Sequence, residues 1–194
     1  MTENNAKTVL FASLFAMLMI PVGMNTAFAD HTSDTSTWST DREFDIQSSL
    51  NNISHASFTP ATDFEDAADV WNNVSGSWWD ITRDDSSNDV EIGSWYMGFH
   101  IATLAETTYI AGSGVMYDAY IDFNSAKDFR DVNVSQGWWS YDYETVAVHE
   151  IGHVAGIHDH TSTSSSPMQA VLATNTVDRT LNSHDIATIE GMYS

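Results

Sequence analysis

Two histidines four residues apart, His149 and His153, constrain this chain more than any other feature in it. On a helix that spacing puts both imidazoles on one face, one turn apart, where two ring nitrogens can share one metal ion. Glu150 follows the first histidine and can reach a water on such an ion without binding the ion itself. The run His149-Glu150-Ile151-Gly152-His153 is the arrangement of zinc hydrolases, with the glutamate as general base. The stretch continues through Gly156 to His158, Asp159 and His160, which makes it far more specific than the first five residues alone.

Local signals support a helix here. Asp142 is a suitable N-cap, and Glu144 suits the positive N-terminal end. Tyr143, Val146, Ala147, Val154 and Ala155 supply apolar packing positions. Gly156 ends the helix in the left-handed conformation that glycine tolerates best. That turn folds the chain back, so that a residue soon after the glycine can complete a three-ligand site. A catalytic zinc needs three protein ligands and one open position.

Upstream, residues 62–72 carry Phe64, Ala67, Ala68 and Trp71 at helical spacing. Strands are expected at 44–50, 78–82, 90–99, 100–110 and 115–123, followed by a polar loop at 124–136. A last helix over 181–193 places Ile186, Ile189 and Tyr193 on one face. Strands first, one helix among them and two helices later imply an α+β domain with a mixed sheet.

The N-terminus reads as a secretory leader: Lys7, an apolar run over 9–20, and Ala27-Phe28-Ala29 as the cleavage site before Asp30. The expected organisation is a signal peptide at 1–29, a flexible segment at 30–54 and a catalytic domain at 55–194, secreted and monomeric. No later segment is apolar enough to cross a bilayer, so no stable membrane insertion is expected after cleavage. The chain has no cysteine, which excludes disulfides. Its 27 acidic residues against 6 basic ones give a net charge of −21, which makes nucleic acid and anionic membranes poor partners. Calcium is a possible ligand through Asp118, Asp122 and Asp131, although no twelve-residue calcium loop is present. His31, His55, His100 and His184 read as exposed or structural, and Trp138 and Trp139 as core or cleft wall. Asn52, Asn73 and Asn133 begin glycosylation sequons.

With these residues in place, the chain resembles the metzincins, and among them the matrixins, whose pattern is HExxHxxGxxH followed by a Met-turn. His149, Glu150, His153 and Gly156 match it. The resemblance implies a mostly parallel twisted sheet, a zinc-binding active-site helix, a Met-turn and a C-terminal helix. Its third-ligand register falls on Asp159, as in snapalysin-like enzymes, and an insertion before the ligand would make it His160. Met168, in Ser165-Ser166-Pro167-Met168, is the Met-turn candidate. The C-terminal helix opens in the family with two aspartates, one bracing the Met-turn; His184 and Asp185 stand there in this chain. The stretch Leu104-Ala105-Glu106-Thr107-Thr108 lacks the family's histidine for a structural zinc, so one catalytic zinc alone is expected.

The implied activity is zinc-dependent cleavage of proteins or peptides. The substrate would pair with an edge strand within 104–110 or 115–121. Gln169, Ala170 and Val171 would wall the specificity pocket, and they depart from the family's usual residues there. The alternative is a catalytically silent zinc-binding envelope or adhesion module of the same fold. The intact Glu150 argues against it.

Overall fold

The computed structural model describes residues 15–16, 36–86, 89–99, 101–158 and 165–194. Among these residues eight strands form two sheets: β1 (Phe15–Ala16), β2 (Arg42–Ile46), β3 (Ile81–Arg83), β4 (Val90–Trp95), β5 (Ala105–Gly112), β6 (Val115–Asn124), β7 (Asp128–Arg130) and β8 (Ser140–Asp142). Three α-helices accompany them, α1 (Pro60–Asn72), α2 (Tyr143–Val154) and α3 (Ser183–Tyr193), with a 3-10 helix over Ser48–Ile53.

The main sheet runs β1-β5-β6-β4-β2-β3. β3, β2, β4 and β6 are mutually parallel, and β5 turns back antiparallel on β6 through a tight loop at Ser113 and Gly114. This is the expected α+β domain with a mixed, mostly parallel sheet. Parallel neighbours need a crossover, and α1 supplies the one between β2 and β3. The strands alternate as a half-buried sheet should. In β5, Ala105, Thr107 and Tyr109 are buried while Glu106, Thr108 and Ile110 are less so.

The buried face meets α1 and α2. Phe44 packs edge-on against Phe64 and Phe123 edge-on against Phe129, while the Phe123 and Tyr143 rings meet at a tilt of 37°. The helix expected at 62–72 begins two residues earlier, because Pro60 suits the first helical position. Four expected strands are offset. The one expected at 44–50 is Arg42–Ile46, with Ser48–Ile53 a 3-10 helix; only Ile81–Arg83 pairs within 78–82 and beyond; β4 stops at Trp95 rather than at residue 99; and β5 starts at Ala105 rather than at residue 100. The polar loop also holds β7, which pairs parallel with β8.

Two expectations differ more deeply. Residues 36–54, part of the segment expected to be flexible, are built into the fold: Trp38, Phe44, Leu50 and Ile53 are core residues. Trp38 is fixed by a partner far along the chain, its indole Nε1 donating to the carbonyl of Val154 at 2.7 Å. Trp138 and Trp139 are not core, being 93% and 70% exposed. The proposed leader lies outside the described residues except for Phe15–Ala16, whose backbone pairs antiparallel with Thr107 and Glu106. Among the described residues no helix is long and apolar enough to cross a membrane.

Candidate metal centre

α2 carries the histidine pair, and its two ends are built as its residues require. Asp142 caps the start, accepting from the Thr145 amide at 3.0 Å and the Thr145 hydroxyl at 2.7 Å. Arg179 lays a two-pronged fork on the same carboxylate at 2.8 and 2.6 Å, and also reaches Glu144 and Asp131. Burial pushes the Asp142 carboxyl up, but the hydrogen bonds from Arg179 and Thr145 outweigh it and hold the group below the usual range. At the other end Gly156 takes φ +88°. The Ile157 amide bonds the Gly152 carbonyl and the Gly156 amide bonds the His153 carbonyl, both at 2.9 Å, which is a Schellman turn.

This turn also orients a histidine. The Ile157 carbonyl accepts from His153 Nδ1 at 2.7 Å. His149 Nδ1 lies 2.7 Å from the Pro167 carbonyl. A carbonyl only accepts, so both Nδ1 atoms carry the proton and both Nε2 atoms present lone pairs. Those two Nε2 atoms face each other at 2.9 Å, with the rings at 88°. Lone pair against lone pair calls for a cation between them. Two zinc–nitrogen bonds of 2.0–2.1 Å at a tetrahedral angle would put the nitrogens about 3.3 Å apart, within a few tenths of what is seen. The donor set therefore fits zinc as far as it is described.

The third-ligand candidates, Asp159 and His160, lie outside the described residues, as do His31 and His100. Among the described residues no three histidine or acidic side chains form a group that could hold a metal. Of the calcium candidates, Asp118 accepts from the Tyr120 hydroxyl, Asp131 accepts from Arg179, and Asp122 stands opposite Glu106 on the sheet. His55 bonds Ser57, and His184 is exposed.

Met168 is fully buried, with its sulfur against Gly152 of α2. Its amide donates to Ser166 Oγ at 2.9 Å, and that hydroxyl lies 2.9 Å from both oxygens of Asp185. Asp185 and Asn182 form a reciprocal capping box at the start of α3. A continuous path thus runs from the α3 cap through Asp185 and Ser166 to Pro167, whose carbonyl holds His149. Gly152 makes room for it. A Cβ there would fall 2.8 Å from Trp71 Cζ2 and closer still to the Met168 sulfur. Beside Pro167, Thr145, Gln169, Val171 and Leu172 line a cavity of about 150 Å³.

Glu150 is fully buried, and its Oε2 accepts from Thr107 Oγ1 at 2.6 Å. The backbone of α2 is clamped in three more places: Trp71 Nε1 donates to the Val148 carbonyl, Trp38 Nε1 to Val154, and the Tyr193 hydroxyl to Ala155. Sequence reasoning passed over Thr107, Gly152, Ser166 and Arg179. Gly152 alone had a local signal, as a glycine inside a helical pattern.

The family model for matrixin matches residues 37–194. No curated protein matches the chain. The match covers most of the sequence, and the chain belongs to the matrixin family of zinc metallopeptidases.

Proposed function

We propose that this matrixin is a secreted zinc endopeptidase in which Glu150 is the general base. The observation that carries the reading is the pair of Nε2 atoms facing each other at 2.9 Å, with each Nδ1 on a carbonyl. His149 and His153 would hold the ion, with Asp159 as third ligand, in the snapalysin-like manner, or His160 if the register is shifted by one. Zinc, when bound, supplies Lewis acidity toward water and the scissile carbonyl. Glu150 takes a proton from the attacking water and passes it to the leaving amine. Met168 forms the floor beneath the histidines.

The substrate would pair along the outer edge of β5. β6 is flanked on both sides, by β5 and β4, so the second candidate edge at 115–121 is set aside. Phe15–Ala16 already pair antiparallel along that edge, in the geometry that strand addition requires. Secretion rests on the leader at 1–29 with its Ala27-Phe28-Ala29 site. Its removal would leave the β5 edge to substrate backbone.

Metal analysis and casein cleavage, with and without chelator, test the reading. Glu150→Gln should keep zinc and lose activity by about 10²–10⁴-fold. Asp159→Ala should weaken zinc binding more than His160→Ala. A wild-type protein that holds zinc but cleaves nothing would instead be the silent binding module.

A further inference from the structure

We propose that Thr107 is a positioning residue for Glu150: its hydroxyl holds one carboxylate oxygen, which assigns proton transfer to the other. The inference rests on the peptidase reading above. Thr107 Oγ1 lies 2.6 Å from Glu150 Oε2 and 3.2 Å from the Glu150 carbonyl oxygen. A hydroxyl has one proton to give. The nearer carboxylate oxygen takes it, at 2.6 Å against 3.2 Å.

Both side chains are buried, Thr107 at 2% exposure and Glu150 at 0%. Water therefore does not compete for this bond. Threonine is also stiff at its first side-chain torsion, so the hydroxyl direction is set by the strand that carries it. With Oε2 committed to Thr107, Oε1 is the oxygen that meets the reacting water.

The placement of Thr107 adds a second consequence. Its backbone is in register with Phe15 of the outer strand on one side and Ile121 of β6 on the other. Its side chain meets the base. One residue thus joins the edge proposed to align substrate to the carboxylate proposed to act on it.

The test compares Thr107→Val, which keeps shape and removes the hydroxyl, with Thr107→Ser, which keeps the hydroxyl. The zinc-loaded full chain is assayed on the casein peptide that wild type cleaves fastest. Thr107→Val should lower kcat by about 10–100-fold, the usual cost of losing an orienting hydrogen bond, with KM and zinc content unchanged. Thr107→Ser should recover most of it. In the metal-free chain, the melting-temperature losses of Thr107→Val and Glu150→Ala should be less than additive in the double variant, because each removes the same bond.

Unchanged kcat in Thr107→Val overturns the proposal. So does a loss of zinc, or a rise in KM alone, because Thr107 would then be a structural support. Additive melts with intact wild-type activity sink the positioning role and leave the peptidase reading standing. A wild-type protein that binds zinc and cleaves no casein sinks both.

Discussion

Three acidic side chains around α2, Asp142, Glu150 and Asp185, are fully buried, and each meets donors brought by another part of the chain: Arg179, Thr107 and Ser166. On the outer face of the sheet the acids meet one another. Asp45 stands opposite Glu91, and Glu106 opposite Asp122. There burial pushes the carboxyls of Glu91 and Glu106 up, and neighbouring acids push them further. The same residue type is thus an organising element in one region and a source of repulsion in the other. What differs is the supply of donors. The chain has 6 basic residues, and one of them, Arg179 at the cap of α2, answers three acids at once.

The sharpest break of this contrast is Arg179→Met. It leaves Asp142 buried without its fork, and removing one partner of a buried pair costs about 3–5 kcal/mol. Urea unfolding should read that loss, nearly independent of salt. A loss below 1 kcal/mol would place Arg179 among ordinary surface pairs.

Next is Gly152→Ala, which forces a methyl against Trp71 and Met168. Overpacking of this kind costs about 1–3 kcal/mol. The variant should also bind zinc more weakly, because Met168 adjoins the Pro167 carbonyl that holds His149.

Glu144 lies between the two regimes. Burial pushes its carboxyl up to about 7, and the charge of Arg179 only partly offsets this. Between the ordinary value of 4.5 and about 7 the folded chain keeps a proton that the unfolded chain has released. The stability this group contributes is therefore present at low pH and lost as pH rises through that window. Glu144→Gln should flatten the decline, measured as melting temperature against pH. An identical slope in both proteins would remove Glu144 from the account.

The smallest effect belongs to the outer sheet. Glu106→Gln relieves a like-charged pair worth about 0.2–1 kcal/mol and should raise the melting temperature slightly in dilute buffer. Wild type should gain stability as sodium chloride is added, since screening shortens repulsion to ~3 Å at 1 M. The variant should gain less. Equal salt responses would mean that the pair does not repel appreciably.

These regions also differ in how far the sequence discloses them. α2 was legible because its signals are local: Asp142 caps three residues ahead, Gly156 stops two residues beyond, and the histidines share a turn. The bracing by Asp185 could be expected from family resemblance, and the structure puts it on Ser166. Arg179 was not legible, because Asp142 and Asp131 lie 37 and 48 residues away. Trp38 fell in a polar segment read as flexible, and its partners lie far along the chain: Val154, 116 residues on, and Tyr193, 155 residues on. Trp138 and Trp139 show the reverse case. Two adjacent tryptophans suggest core or cleft wall, and the core half of that reading fails, because they stay at the surface before α2 begins. Strand ends slipped by several residues because pairing partners, not composition, decide where a ladder stops.

The Met168 thioether is sealed beneath Gly152, with no solvent contact. Oxidation to the sulfoxide adds a polar oxygen to a side chain whose sulfur already fills the gap. The folded domain therefore protects this methionine from peroxide, while Met97 and Met192 are only partly covered. A sulfoxide at Met168 would record that the packing against Gly152 had opened, rather than merely that oxidant was present.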